Sequence, residues 1–191
     1  MVDTKNRQVK NDYQFIEKIG LELKSVIWRA KARNTFEEVT IKVTKKSKIT
    51  KEETADLLAE LKIRKQLNHR CILKLLDDYE DEERYFQVYE LVSGGDLTDN
   101  LNTSYELSER NVQKIMIPLF DAVIYLHELG IMHRDLKPDI LLLTKKNLTE
   151  ARLKIADFKL SCQLKPGEYA TNAAGTPFYV APEIISEKMY D

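Results

Sequence analysis

The chain changes its hydrophobic rhythm at Ser93-Gly94-Gly95, and that break constrains the fold more than any other feature. Two adjacent glycines behind a serine interrupt helix and strand alike and mark a connection between two differently built halves. Before the break, Phe15-Ile16 running to Gly20, Val26-Ile27-Trp28, Val39-Thr40-Ile41-Lys42-Val43 and residues 85–92 read as strands. One helix interrupts them: Thr50 and Glu53 have capping-box spacing, and the residues through 67 are strong helix formers. After the break, Val112, Ile115, Met116, Leu119, Val123 and Leu126 fall on one helical face. Pro118 is expected to kink or weaken that helix, and Gly130 to end it. Short strands around Leu141-Leu142-Leu143 and Leu153-Lys154-Ile155 follow, then a long irregular stretch to Glu183.

This order of elements predicts an α+β chain of 191 residues, long enough for one domain or for two small lobes sharing a cleft. Hydrophobic residues at 43% exclude a disordered chain, and a net charge of −1 argues against nucleic-acid binding by bulk charge. Cys71 and Cys162 have neither disulfide-framework nor zinc-ligand spacing. No apolar run reaches membrane-span length, and residues 1–12 are polar without the pattern of a signal peptide. The expectation is a cytoplasmic or nuclear protein with no membrane partner.

Four features carry chemistry by their order. Lys42 is a cation on an apolar strand, where a lysine is ordinarily a solvent-facing residue. Glu60 lies mid-helix, where a glutamate is ordinarily on the surface. His133-Arg134-Asp135-Leu136-Lys137-Pro138 sets charges among apolar neighbours, a buried polar loop that needs a purpose. Asp157-Phe158 closes an apolar strand, where the aspartate either caps the strand or holds a metal. A cation, a helix carboxylate, a loop aspartate and a metal-binding aspartate follow one another in the sequence that phosphoryl transfer uses. With Gly175-Thr176-Pro177-Phe178-Tyr179-Val180-Ala181-Pro182-Glu183 and Val39-Thr40-Ile41-Lys42, these segments resemble a eukaryotic protein kinase from Tyr13 onward. Ser93-Gly94-Gly95-Asp96-Leu97 and Asn68-His69-Arg70-Cys71-Ile72 are similar to the calmodulin-dependent and checkpoint group of serine/threonine kinases.

The resemblance implies a two-lobed fold: an extension over 1–12, a β-rich ATP-binding lobe with one main helix over 13–92, and a mainly helical, incomplete catalytic lobe over 93–191 that stops after the Ala-Pro-Glu motif. It implies that Lys42 contacts the α- and β-phosphates of ATP and is held by Glu60. Asp135 would accept the substrate hydroxyl proton, Lys137 would steady the γ-phosphate, and Asp157 would hold Mg²⁺. The nucleotide would lie against Gly20, Ile27, Thr40, Tyr89, Glu90, Val92, Asp96 and Leu142, and Thr176 would sit near the acceptor residue. The implied partner is a protein substrate or a regulatory protein, and the oligomeric state is left open.

Departures from the family pattern set a second expectation, a pseudokinase acting as a nucleotide-binding or interaction module. Ile140 stands where the family has the asparagine of the second Mg²⁺ site, and it has no oxygen to offer. Of the glycine-rich loop only Gly20 remains, and Glu22 brings a carboxylate toward the phosphates. Lys159 replaces the glycine after Asp157-Phe158, Thr40 a small apolar residue, and Arg64 an apolar side chain that packs on Phe158. Asn172 replaces the activation-loop phosphothreonine, leaving Arg134 without a phosphate to hold. An exposed apolar patch is expected on the helix bearing Val112 and Leu126.

Overall fold

Alternating apolar residues make a five-stranded antiparallel sheet from β1 (Tyr13–Leu21), β2 (Ser25–Ala32), β3 (Glu38–Lys45), β4 (Leu75–Glu80) and β5 (Arg84–Glu90). This computed structural model describes residues 8–103, 108–147, 150–186 and 188–191, so most of the expected extension over 1–12 lies outside the described residues. The strand order is β1-β2-β3-β5-β4. Because strand side chains alternate, Val39, Ile41 and Val43 go to one face and Thr40 and Lys42 to the other. The first face forms a core with Ala30, Tyr79, Phe86, Val88 and Val9 of the short helix α1 (Val9–Asp12). On the other face Thr40 lies opposite Tyr89, and Lys42 between Ile27 and Gln87.

Helix α2 (Lys51–Arg64) starts at the expected capping box. The Glu53 N–H donates to Thr50 Oγ1 at 3.2 Å, and the Thr50 N–H donates to Glu53 Oε2 at 3.0 Å. The helix ends three residues before the expected 67. There Gln66 and Leu67 bond to the carbonyls of Ile63 and Arg64, three residues back, and tighten the last turn.

The chain forms two compact units. Residues up to Ala55 join Lys74–Leu91, and Asp56–Leu73 joins Val92–Asp191. The second part of α2 and the turn after it belong with the later residues because Ile63, Leu67, Cys71 and Ile72 are buried in the second core. That core also takes Leu126 of α4 (Glu109–Glu128), Ile131 of β6 (Ile131–Met132), Leu141 and Leu143 of β7 (Leu141–Leu143), and Ile155 of β8 (Leu153–Ile155). Strand β7 pairs with β8, and β6 with β9 (Cys162–Gln163), both antiparallel. Helix α3 (Leu97–Thr103) precedes α4, and α5 (Pro182–Ile185) follows β9.

Helix α4 continues on both sides of Pro118, so the proline does not end it as its chemistry would allow. Its buried stripe is Ile115, Ala122 and Leu126, with Leu119 and Tyr125 partly covered. The expected stripe omitted Ala122 and included Val112, which is exposed. Hydrophobicity alone ranks alanine low, yet Ala122 is fully buried in the second core. The opposite face exposes Ile117, Phe120 and Ile124. Gly130 ends the helix at φ +67°, and a Cβ there would lie 2.4 Å from the Leu164 carbonyl oxygen. Gly94 is equally constrained: its N–H donates to the Leu143 carbonyl at 2.8 Å, and a Cβ would meet that oxygen at 2.2 Å.

Candidate active site

In the first unit, the polar side of the sheet carries Gly20, Ile27, Thr40, Lys42 and Tyr89. Gly20, next to last in β1, lies close against Ile27, whose side chain would lie 3.3 Å from a Cβ at that position. Tyr89 is buried, and Thr40 faces it across the strand pair. Lys42 Nζ is paired with Glu22 Oε2 at 2.7 Å. Glu22 sits in the tight turn after β1, where its N–H donates to the Ser25 carbonyl at 2.9 Å. The neighbouring Lys24 is held by Glu53. Glu90, expected among the adenine contacts, exchanges bonds with Lys74. Its N–H donates to the Lys74 carbonyl at 3.2 Å, and its carboxylate accepts the Lys74 N–H at 2.8 Å.

In the second unit Val92 is half-buried, and Asp96 forms a β-bridge with Leu142. Asp96 Oδ1 accepts the Asp99 N–H at 2.8 Å and so caps α3, which occupies part of the carboxylate expected at a ribose.

The loop after β6 converges on Asp135. Its Oδ1 accepts the Thr176 hydroxyl at 2.6 Å, and its Oδ2 lies 3.1 Å from Lys137 Nζ. Lys137 also donates to Thr176 Oγ1 at 2.7 Å, closing a triangle of carboxylate, ammonium and hydroxyl. Burial works to raise the Asp135 carboxyl, but the Thr176 hydrogen bond and the Lys137 ammonium outweigh it and hold the group below its ordinary value.

His133 is buried and spans the site. Its Nδ1 accepts the Asp135 N–H at 3.3 Å, and its Nε2 lies 3.0 Å from the Ala156 carbonyl. A carbonyl can only accept, so Nε2 carries the proton and Nδ1 the lone pair. Burial lowers the pKa of this imidazole, which agrees with that neutral tautomer. One ring thereby fixes the backbone at Asp135 and at the residue before Asp157.

Asp157 is exposed at φ +50°, and its Oδ1 accepts the Lys159 N–H at 3.2 Å. Ile140, by contrast, is buried in the apolar core, and its carbonyl accepts the Ala156 N–H at 2.9 Å. Glu60 is buried and accepts from Arg64 Nε at 2.7 Å. The Arg64 guanidinium lies 4.8 Å over the Phe158 ring, which His133 meets edge-on at 4.6 Å. The contact expected of an apolar side chain on Phe158 is therefore made by a cation on an aromatic face.

Asp135, Lys137 and Thr176 are thus brought together, with Asp157 tied to them through His133. Lys42 and Glu60 lie in different units, and within its own unit each has another partner. Sequence reasoning missed the partners of Arg134. Its Nε donates to the Leu160 carbonyl at 2.6 Å, and its Nη1 to Asn172 Oδ1 at 2.9 Å and the Tyr190 hydroxyl at 3.1 Å. No sequence signal pointed to Tyr190. The capping role of Asp96 was legible from an aspartate just before a helix.

Residues 13–191 match the family model described as protein kinase domain. The chain is 33% identical over 187 residues to a probable myosin light chain kinase of Dictyostelium discoideum, covering 98% of this chain and 48% of that protein. It is 36% identical over 184 residues to myosin light chain kinase A of the same organism, covering 96% and 62%. A serine/threonine-protein kinase, ULK3, of Xenopus laevis is 35% identical over 181 residues, covering 94% and 38%. The chain therefore spans between about two fifths and three fifths of the length of these relatives.

Proposed function

This chain belongs to the protein kinase domain family, and from that premise we propose that it transfers the γ-phosphoryl group of ATP to serine or threonine hydroxyls of proteins. The Asp135–Thr176–Lys137 triangle carries the reading, because it holds a threonine hydroxyl between a carboxylate and an ammonium. An acceptor alcohol in that place would give its proton to Asp135 while Lys137 balances charge on the phosphoryl oxygens. His133 keeps the Asp135 backbone in register. Lys42 is the cation for the α- and β-phosphates in this reading, and Glu60, which Arg64 holds in this structure, is its proposed helix partner with nucleotide bound. Gly20, Ile27, Thr40, Tyr89, Glu90, Val92, Asp96 and Leu142 are the proposed nucleotide contacts.

Mg²⁺ takes oxygen ligands, and the exposed Asp157 carboxylate suits it. A bound Mg²⁺–ATP would supply the transferable phosphoryl group and neutralise its charge. At the second metal position Ile140 is buried among apolar side chains and does not fit. That mismatch favours a second reading, a pseudokinase that works through nucleotide-dependent protein contacts. The calmodulin-dependent or checkpoint grouping rests on Ser93-Gly94-Gly95-Asp96-Leu97 and Asn68-His69-Arg70-Cys71-Ile72. A protein substrate or regulator in the cytosol or nucleus is the proposed setting.

Radiolabelled phosphate transfer, run beside Asp135→Ala and with Mg-ATP-dependent melting on the same sample, separates the two. Transfer abolished by the substitution supports the enzyme. Raised melting without transfer supports the binding module. No response in either assay overturns both.

A further inference from the structure

We propose that Glu22 is a specificity-determining residue, a built-in carboxylate that occupies the phosphate place on Lys42 and makes the nucleotide site discriminate against polyphosphate. The inference rests on the nucleotide reading above and adds the class of ligand the site favours. Glu22 Oε2 lies 2.7 Å from Lys42 Nζ, the distance of a charge-assisted hydrogen bond. The Glu22 backbone is pinned by its bond to the Ser25 carbonyl, while its side chain keeps 48% exposure. The carboxylate therefore stays tethered near the amine and has solvent to swing into. Lys24, the other ammonium of this turn, is committed to Glu53 and offers no ready substitute.

A phosphate reaching Lys42 must first displace Glu22 and then lie near a second negative charge. Adenosine has no phosphate and is indifferent to the pair. ADP and ATP consequently gain less over adenosine here than they would from an unpaired amine. The pair is partly exposed, so its effect is modest and falls with salt.

Calorimetric titration of adenosine, ADP and ATP with Mg²⁺ into the chain, Glu22→Gln and Glu17→Gln tests this. Glu17 is a control carboxylate on β1 that pairs with Arg29. In Glu22→Gln, ADP and ATP should tighten by about two- to fivefold, the range of one partly exposed ion pair. Adenosine should stay unchanged, Glu17→Gln should match the parent, and the gain should shrink at high salt. Equal gains for adenosine and ATP, or no gain for ATP, overturn the proposal. A second readout does not need nucleotide: acylation of Lys42 by a water-soluble active ester, mapped by mass spectrometry. Glu22→Gln should speed it at Lys42 and not at Lys24, because the carboxylate no longer shields the amine, and unchanged rates overturn the latch. Faster acylation with no nucleotide bound by any variant keeps the latch and refutes the nucleotide reading.

Discussion

Asp135 holds three loads: a hydroxyl on one oxygen, an ammonium on the other, and a backbone N–H tied to His133. Its carboxyl titrates below the ordinary carboxylate value, so its stabilisation is complete above about pH 4 and is lost as pH falls through the folded value. Thr176→Val removes the hydroxyl while leaving Lys137 in place. The Asp135 titration should then move up, and acid unfolding should begin at higher pH. Carbon-13 chemical shifts of the carboxyl across pH follow the change directly, and an unmoved titration would deny Thr176 this role. Arg134 illustrates a different adjustment. Its expected phosphate partner is replaced by a backbone carbonyl, the Asn172 amide oxygen and a tyrosine hydroxyl.

At the scale of elements, α2 joins local and long-range physics. Its start is a local device, the reciprocal Thr50–Glu53 cap. Its end carries a buried Glu60–Arg64 pair one helical turn apart, with Arg64 stacked on Phe158. Side-chain exposures of 10% and 3% leave little water to compensate either charge if its partner is removed. Arg64→Met should therefore cost about 3 kcal/mol, because Glu60 remains buried and unpaired. Adding Glu60→Gln should restore part of the loss. Urea unfolding of both variants measures this, and a single variant as stable as the parent would contradict the burial argument. The sheet follows the same division. Alternation along β3 sends Lys42 and Ile41 to opposite faces from sequence alone, whereas the cross-strand partners Ile27 and Gln87 depend on register.

For the whole molecule, among the described residues, two cores hold most of the buried apolar side chains, one under the five-stranded sheet and one around Phe158 and Leu126. Outside them, Ile117, Phe120 and Ile124 make an exposed apolar stripe on α4, each more than half exposed. Replacing Ile117 and Phe120 by lysine should raise solubility and leave the melting temperature within a few degrees, since neither side chain supports a core. Light scattering and thermal melting check both halves, and a large drop in melting would mean that the stripe is structural. Sequence by itself determined the two long helices and most of the strands, the helix cap and the family, because each rests on residues close together or on fixed motifs, but it passed over β4, α3 and α5. It also placed Asp135, Lys137 and Thr176 in one chemical neighbourhood through that family resemblance. Only the tertiary structure decided that Glu22 takes Lys42, that Arg64 takes Glu60 and covers Phe158, and that Tyr190 closes on Arg134. Ion pairs form between whichever charges the fold brings within reach, and that reach is set by backbone path rather than by spacing along the chain.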